Sequence, residues 1–298
     1  MKTKSFIAAA FLSLFLAVST WSQPKADFNR TQDVVYGRKD GMALTMDVFR
    51  PKNPNGAGIV FVVSGGWFSS HDAINPDACK PFLNRGYTVF AVVHGSQPRY
   101  LIPEAMQDMH RAVRFIRHNA ESWGVDPKRL GVVGGSAGGH LSLVLATQAG
   151  ADAKVNEKDP VNQESSAVQC VACFFPPTDF LNYGAPGKLE TGNDVLKNVC
   201  PTAFGPYAKS AEGREKFARE ISPIYFVTSN MPPTLIIHGD ADVWVPLQQS
   251  ETFLAKAREA GVETKLMVKQ GQGHGWKDWL STDMETCADW FDAHLLKK

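Results

Sequence analysis

Apolar positions along this chain fall into two kinds of run. Residues 58–63, 87–93, 129–133, 168–174 and 234–237 are short, nearly continuous apolar stretches rich in Val and Ile, and 264–268 form a further strand pattern after the 253–260 helix. The continuous stretches predict strands buried on both faces. Between them, apolar residues recur at helical spacing, as with Met106, Met109, Ala112, Val113 and Ile116 inside 105–120. Residues 140–147, 253–260 and 288–296 also read as helix. Ahead of this alternation stand two strand patterns, 33–36 and 43–50, the second with Leu44, Met46 and Val48 on one face. Asp40-Gly41 between them predicts a hairpin. Strands alternating with amphipathic helices predict an α/β fold, a mostly parallel sheet with helices on both faces and an antiparallel N-terminal edge. Such a sheet binds ligands beyond the carboxyl ends of its strands.

Residues 180–228 break the alternation. They are rich in Gly, Pro, Asn and Lys and have no long apolar period, so a cap or lid inserted between two core strands is expected. Its aromatics, Phe204, Tyr207, Phe217, Tyr225 and Phe226, argue against a bare surface loop.

The first 22 residues differ from the rest. Lys2 and Lys4 precede an apolar run from Phe6 to Val18, and the small residues Ser19, Thr20 and Ser22 follow. This is the form of a secretory signal peptide, too short for a membrane span. The expected mature domain is 23–298, one α/β unit, placed outside the cytoplasm (secreted or periplasmic) and free of the membrane after cleavage. A net charge of +1, without a basic stripe, gives no reason to expect a nucleic-acid partner. Oligomeric state is open. The five cysteines, Cys79, Cys170, Cys173, Cys200 and Cys287, are an odd number. Cys170 and Cys173 lie three apart in a strand pattern and so face opposite sides, which predicts buried inert thiols rather than a joint site.

The densest chemical signal is Gly134-Gly135-Ser136-Ala137-Gly138, a G-x-S-x-G between a predicted strand and a predicted helix. In a chain of this composition the pentapeptide arises by chance roughly one time in ten, so its weight comes from context. A serine on a sharp strand-to-helix turn exposes its hydroxyl, and the helix start offers N–H groups to a developing anion. The hydroxyl still needs a base and a group to orient that base. Downstream, strand 234–237 runs into His238-Gly239-Asp240-Ala241-Asp242, placing carboxylates on the same rim. Later, Gly273-His274-Gly275 sets an imidazole in a glycine-flanked loop.

Together these motifs resemble the α/β-hydrolase superfamily, in particular its esterase and prolyl-oligopeptidase-like branch with the bacterial acetyl-xylan and feruloyl esterases. The resemblance covers roughly 33–296. It implies Ser136 as nucleophile, Asp242 as acid with Asp240 as the neighbouring alternative, and His274 as base. It implies oxyanion donors at Ala137 and in the loop Ser64-Gly65-Gly66-Trp67, at Gly66 and Trp67. Ser64 stands where such loops carry a bracing histidine. Trp67 is expected to offer the substrate a stacking face. Asp179, in the turn Pro176-Pro177-Thr178-Asp179, is expected either to brace the insertion or to touch substrate. His94 could line the rim, and His140 pack or cap behind the elbow. No H-E-x-x-H or paired Cys/His spacing occurs, so no metal or other cofactor is expected. The implied activity is hydrolysis of a carboxylic ester, small or linked to plant polysaccharide, with acetyl or feruloyl as the acyl group. A peptidase, amidase or arylformamidase would use the same residues. A non-catalytic binding protein would be expected to lack one of them.

Overall fold

The computed structural model describes residues 28–296 apart from 150–157, 193, 199, 201 and 207–210. The expected signal segment and Tyr207 lie outside the described residues. Two long strands open the chain, β1 (Phe28–Lys39) and β2 (Met42–Pro51), joined at Asp40-Gly41. Six more follow: β3 (Gly58–Val63), β4 (Thr88–Val93), β5 (Leu130–Gly135), β6 (Cys170–Phe174), β7 (Thr234–Gly239) and β8 (Thr264–Lys269). The helices are α1 (Pro76–Leu83), α2 (Ile102–His118), α3 (Ala137–Thr147), α4 (Ala211–Ile221), α5 (Gln248–Glu259) and α6 (Met284–Leu295).

The strands form one eight-stranded sheet in the order β1-β2-β4-β3-β5-β6-β7-β8. The β1–β2 and β2–β4 pairs are antiparallel and the others parallel. The order reverses at β3, which has β4 on one side and β5 on the other. A reversal of this kind opens a crevice past the carboxyl ends of the flanking strands, and the Gly65–Trp67 turn and Ser136 both lie there. Apolar side chains on the two faces form two separate cores. Cys173 enters one and Cys170 the other, as their spacing on a strand requires. All five cysteines are buried and unpaired. Burial pushes the thiols up, Cys79 and Cys200 to about 12, so none is a ready nucleophile.

Among the described residues, none of the 180–228 insertion lines the cavity at the crevice. The described part of the insertion includes α4, and Phe180, Tyr183, Phe204 and Phe217 are fully buried in the larger core. It packs as a side wall. Asp179 anchors its entrance: the carboxylate accepts from Leu181 N (3.0 Å), Asn182 Nδ2 (2.9 Å) and the Tyr225 hydroxyl (2.9 Å). The carboxylate is 5% exposed and committed to these donors. Bracing is therefore its role, and the substrate-contact reading of Asp179 is set aside.

Candidate active site

The elbow geometry follows from three glycines. A Cβ on Gly134 would lie 2.6 Å from the carbonyl carbon of Gly138, one on Gly138 2.9 Å from Val62 O, and one on Gly139 2.8 Å from Phe174 O. Only bare backbone lets α3 start this close to β5, β3 and β6. Between them Ser136 sits at φ 55°, a conformation that costs a non-glycine residue on the order of 1–3 kcal/mol. Hydrogen bonds from Ser136 N to Phe174 O (2.9 Å) and from His140 N to Ser136 O (2.9 Å) hold it there.

The structure brings Ser136, His274 and Asp242 into one hydrogen-bonded row. Ser136 Oγ is 2.8 Å from His274 Nε2, and His274 Nδ1 is 2.7 Å from Asp242 Oδ2. A carboxylate only accepts, so Nδ1 carries the proton and Nε2 is free to accept from the serine hydroxyl. Asp242 Oδ1 accepts from Trp244 N and Val245 N, each 2.9 Å. His238 Nε2 lies 3.4 Å from Asp242 Oδ2, a weak contact beside its 2.9 Å bond to Val245 O. Burial alone would raise the Asp242 pKa. The adjacent His238 and His274 imidazoles and the Val245 N–H outweigh it and hold the carboxyl well below the usual carboxylate range. Asp240 turns the other way and accepts from Gly271 N (2.6 Å), bracing the loop that carries His274.

Two backbone turns face Ser136. Ala137 begins α3, so its N–H is one of the helix's unshared donors. In the second turn, Gly65 and Phe68 bond to each other, N to O, at 3.0 and 2.9 Å. Gly66 (φ 55°) and Trp67 (φ 58°) form the tip. The left-handed Trp67 backbone stores strain at the position expected to donate to an oxyanion. Ser64 Oγ bonds to His94 Nε2 (2.8 Å), and His94 Nδ1 bonds to Gly95 O (2.8 Å). His94 is thus no rim residue; it is buried and braces the loop. His140 is buried behind the elbow, bonded at both ring nitrogens, to Trp67 Nε1 (3.2 Å) and Ile221 O (2.6 Å).

The Trp67 ring corrects an expectation. It is 3% exposed and packs against His140, Phe180 and Phe204, away from the crevice. The aromatic rings at the crevice are instead those of Phe175, Trp244 and Trp279, which with Gly66, Ser136 and His274 line a cavity of about 340 Å³. Among the described residues, none from 180–228 lines it. Phe175 follows β6 at φ 35° with its ring centroid 4.6 Å from that of His274; Trp244 lies at 5.3 Å. Trp279 begins a single π-turn (Trp279–Asp283) ahead of α6 and rests on Gly135. The sequence held two signals for this wall, a tryptophan two residues past Asp242 and another five past His274. Elsewhere, donor atoms of Asp33, Asp47 and His71 lie within 4.8 Å of one another on the β1–β2 edge. Asp47 there is already paired with Arg30 Nε at 2.7 Å.

A sheet of this order, with a serine elbow and a Ser–His–Asp row on its crevice, defines an α/β-hydrolase. Comparison with known proteins narrows the class. The sequence profile of the BD-FAE family matches residues 46–257, and the chain belongs to that family. It is 28% identical over 249 residues to esterase LipC of Mycobacterium tuberculosis, covering 82% of this chain and 59% of that protein. It is 26% identical to an ethyl acetate hydrolase of Pseudomonas putida, covering 81% of this chain and 74% of the relative. The chain thus spans about six-tenths of the length of the first of these relatives. Among solved structures, a truncated carbohydrate esterase from gut microbiota superposes with a TM-score of 0.75 at 25% identity, over 92% of this chain and 99% of that one. An acetyl ester-xyloside bifunctional hydrolase of Caldicellulosiruptor lactoaceticus shares the fold, with a TM-score of 0.69 at 21% identity over 88% of this chain and 96% of the other.

Proposed function

We propose that this chain is an exported serine carboxylesterase. The observation that carries the reading is the Ser136–His274–Asp242 row, with 2.8 and 2.7 Å bonds, opening onto a 340 Å³ cavity. Ser136 Oγ attacks the ester carbonyl carbon as His274 Nε2 takes its proton, while Asp242 holds the imidazole and balances the imidazolium. The carbonyl oxygen becomes an oxyanion facing the N–H groups of Ala137, Gly66 and Trp67; each such donor is worth about 3–4 kcal/mol in the transition state. The tetrahedral intermediate collapses as the C–O bond to the leaving alcohol breaks, and His274 returns the proton to that oxygen. Water then repeats the sequence on the acyl-enzyme, releasing the acid and restoring Ser136.

The substrate reading is an acetyl or feruloyl ester on plant polysaccharide. The carbohydrate-esterase neighbours support it, as does an apolar wall of Phe175, Trp244 and Trp279 suited to a flat ring. The basic start and short apolar run of residues 1–22 support export.

The test is turnover by the purified protein. It is assayed on p-nitrophenyl acetate, acetylated xylan, methyl ferulate, N-formylkynurenine and a prolyl anilide, beside Ser136→Ala. Ester turnover that vanishes in Ser136→Ala is expected. Equal turnover by the variant overturns the mechanism, and activity on the anilide or the formamide but no ester overturns the substrate class. N-terminal sequencing of protein recovered outside the cytoplasm checks export; a retained Met1 there counts against cleavage.

A further inference from the structure

We propose that the 180–228 insertion positions the oxyanion hole, acting on the Gly66-Trp67 turn through Gln97 and His140. The proposal rests on the esterase reading and assigns the insertion a role in that same site.

The first link runs through a peptide plane. The side-chain amide of Gln97 donates from Nε2 to Gly66 O, and its Oε1 accepts from the Thr202 hydroxyl. A backbone carbonyl only accepts, so the NH₂ end must face Gly66. Gly66 C=O and Trp67 N–H belong to one planar trans peptide and point in opposite directions. Fixing the carbonyl therefore fixes the direction of the Trp67 N–H, the proposed oxyanion donor. Gln97 N also donates to Trp67 O (3.3 Å), so one residue grips the turn on both sides of that donor. Gln97 is buried; Thr202, which orients it, belongs to the insertion.

The second link runs through the indole. Trp67 Nε1 donates to His140 Nδ1 at 3.2 Å, and His140 Nε2 donates to Ile221 O at 2.6 Å. An indole N–H only donates and a carbonyl only accepts, so the imidazole is neutral with its proton on Nε2. Ile221 is the last residue of α4. The indole itself is held by Phe180 (6.0 Å between centroids) and Phe204 (5.8 Å), both from the insertion. The strained φ of 58° at Trp67 persists because the surroundings over-determine it, and much of that surrounding is the insertion. Gln97, Thr202 and His140 are positioning residues: among the described residues lining the cavity, none of them appears.

The test uses Thr202→Val, Thr202→Ser and Trp67→Phe. One readout is kcat and KM on p-nitrophenyl acetate. The other is the second-order rate of Ser136 labelling by a fluorophosphonate, whose phosphoryl oxygen gains charge in the same place. Thr202→Val and Trp67→Phe should each lower kcat and the labelling rate about tenfold, less than the 10²–10³ of deleting a donor outright, with KM within twofold. Thr202→Ser, which keeps the hydroxyl, should restore wild-type rates. Thr202 is exposed, so its variants test the idea even if Trp67→Phe misfolds. Wild-type labelling in Thr202→Val, the same loss in Thr202→Ser, or a change confined to KM overturns the inference while leaving the esterase reading standing. Wild-type protein that does not label at Ser136 overturns both.

Discussion

Ser64 Oγ and His94 Nε2 lie 2.8 Å apart, joining the loop after β3 to the end of β4. Related esterase loops are expected to carry their bracing histidine where Ser64 stands; here the imidazole comes from the neighbouring strand and the loop supplies the hydroxyl. His94 Nδ1 faces the Gly95 carbonyl and so carries the proton, which leaves Nε2 to accept from Ser64. Ser64→Ala would strip a buried acceptor of its partner. The expected loss is about 1–3 kcal/mol of stability, read as a lower urea midpoint at unchanged slope. An unchanged midpoint would mean the brace contributes nothing.

Acid should weaken the fold through two buried imidazoles. Burial lowers His94 to about 4, with Lys39 acting in the same direction against the Gly95 carbonyl bond. Burial lowers His140 to about 4 as well, against the Ile221 carbonyl bond. Both are ordinary histidines near 6.5 once unfolded. The unfolded chain therefore binds protons that the native state refuses, and the associated stability is present above about 6.5 and lost as pH falls toward 4. Each site contributes roughly 3 kcal/mol over that range. Asp242, held low, adds a loss of the same sign at still lower pH. Urea midpoints at pH 7.0, 5.5 and 4.5 should fall in that order; a flat series would contradict neutral buried histidines.

The two carboxylates past β7 separate cleanly. Asp242→Asn keeps the shape but presents an amide to His274 Nδ1, and should lower kcat by about 10⁴-fold. Asp240→Asn loses only charge at an exposed brace 2.6 Å from Gly271 N, and should cost less than tenfold. The reverse ranking would assign the acid to Asp240.

The strand alternation carried most of the fold, because buried parallel strands read as unbroken apolar runs and each was found within a few residues of its expected place. Helix α1 was not legible: Pro81 lies inside it and it has only eight residues. Helix α4 hid in a stretch of charged residues whose apolar contacts, Phe217, Ala218 and Ile221, are few and closely spaced. In the site, chain order pointed to Ser136, to the Asp240-Asp242 cluster and to His274, and the resemblance to the hydrolase family singled out Asp242. Trp67 misled because adjacency to Gly-Gly says nothing of which way a ring turns, and at φ 58° it turns into the core. Phe175, Trp244 and Trp279 come from three separate loops and converge only in three dimensions.

Elbow packing predicts that Gly134→Ala destabilises more than a typical helix or strand substitution. The new methyl would meet backbone, the Gly138 carbonyl at 2.6 Å, so no side chain can swing aside. About 3 kcal/mol is expected, the upper end of overpacking costs. Gly65→Ala is the control: nothing lies within 4 Å of its added Cβ, so it should change stability by less than about 1 kcal/mol. Equal effects at the two sites would mean the elbow tolerates separation of α3 from β5.

The aromatic wall should govern which acyl or leaving group is preferred, and Trp244 is the side chain that tests it. Its ring is 47% exposed, so Trp244→Ala leaves little void in the fold. Its backbone N–H still serves Asp242 Oδ1 after the change. The ring also lies 5.3 Å from that of His274, so truncation could disturb the base as well as the substrate. A ratio removes that ambiguity, because a disturbed base slows every ester alike. Comparing kcat/KM for methyl ferulate with that for methyl acetate isolates the contact with a flat ring. Loss of one aromatic contact is worth about 1.4 kcal/mol, so the ratio should fall roughly tenfold, mainly through KM for the ferulate. A ratio that stays constant while both rates drop would assign Trp244 to His274 alone, and leave Phe175 and Trp279 as the surfaces that meet substrate.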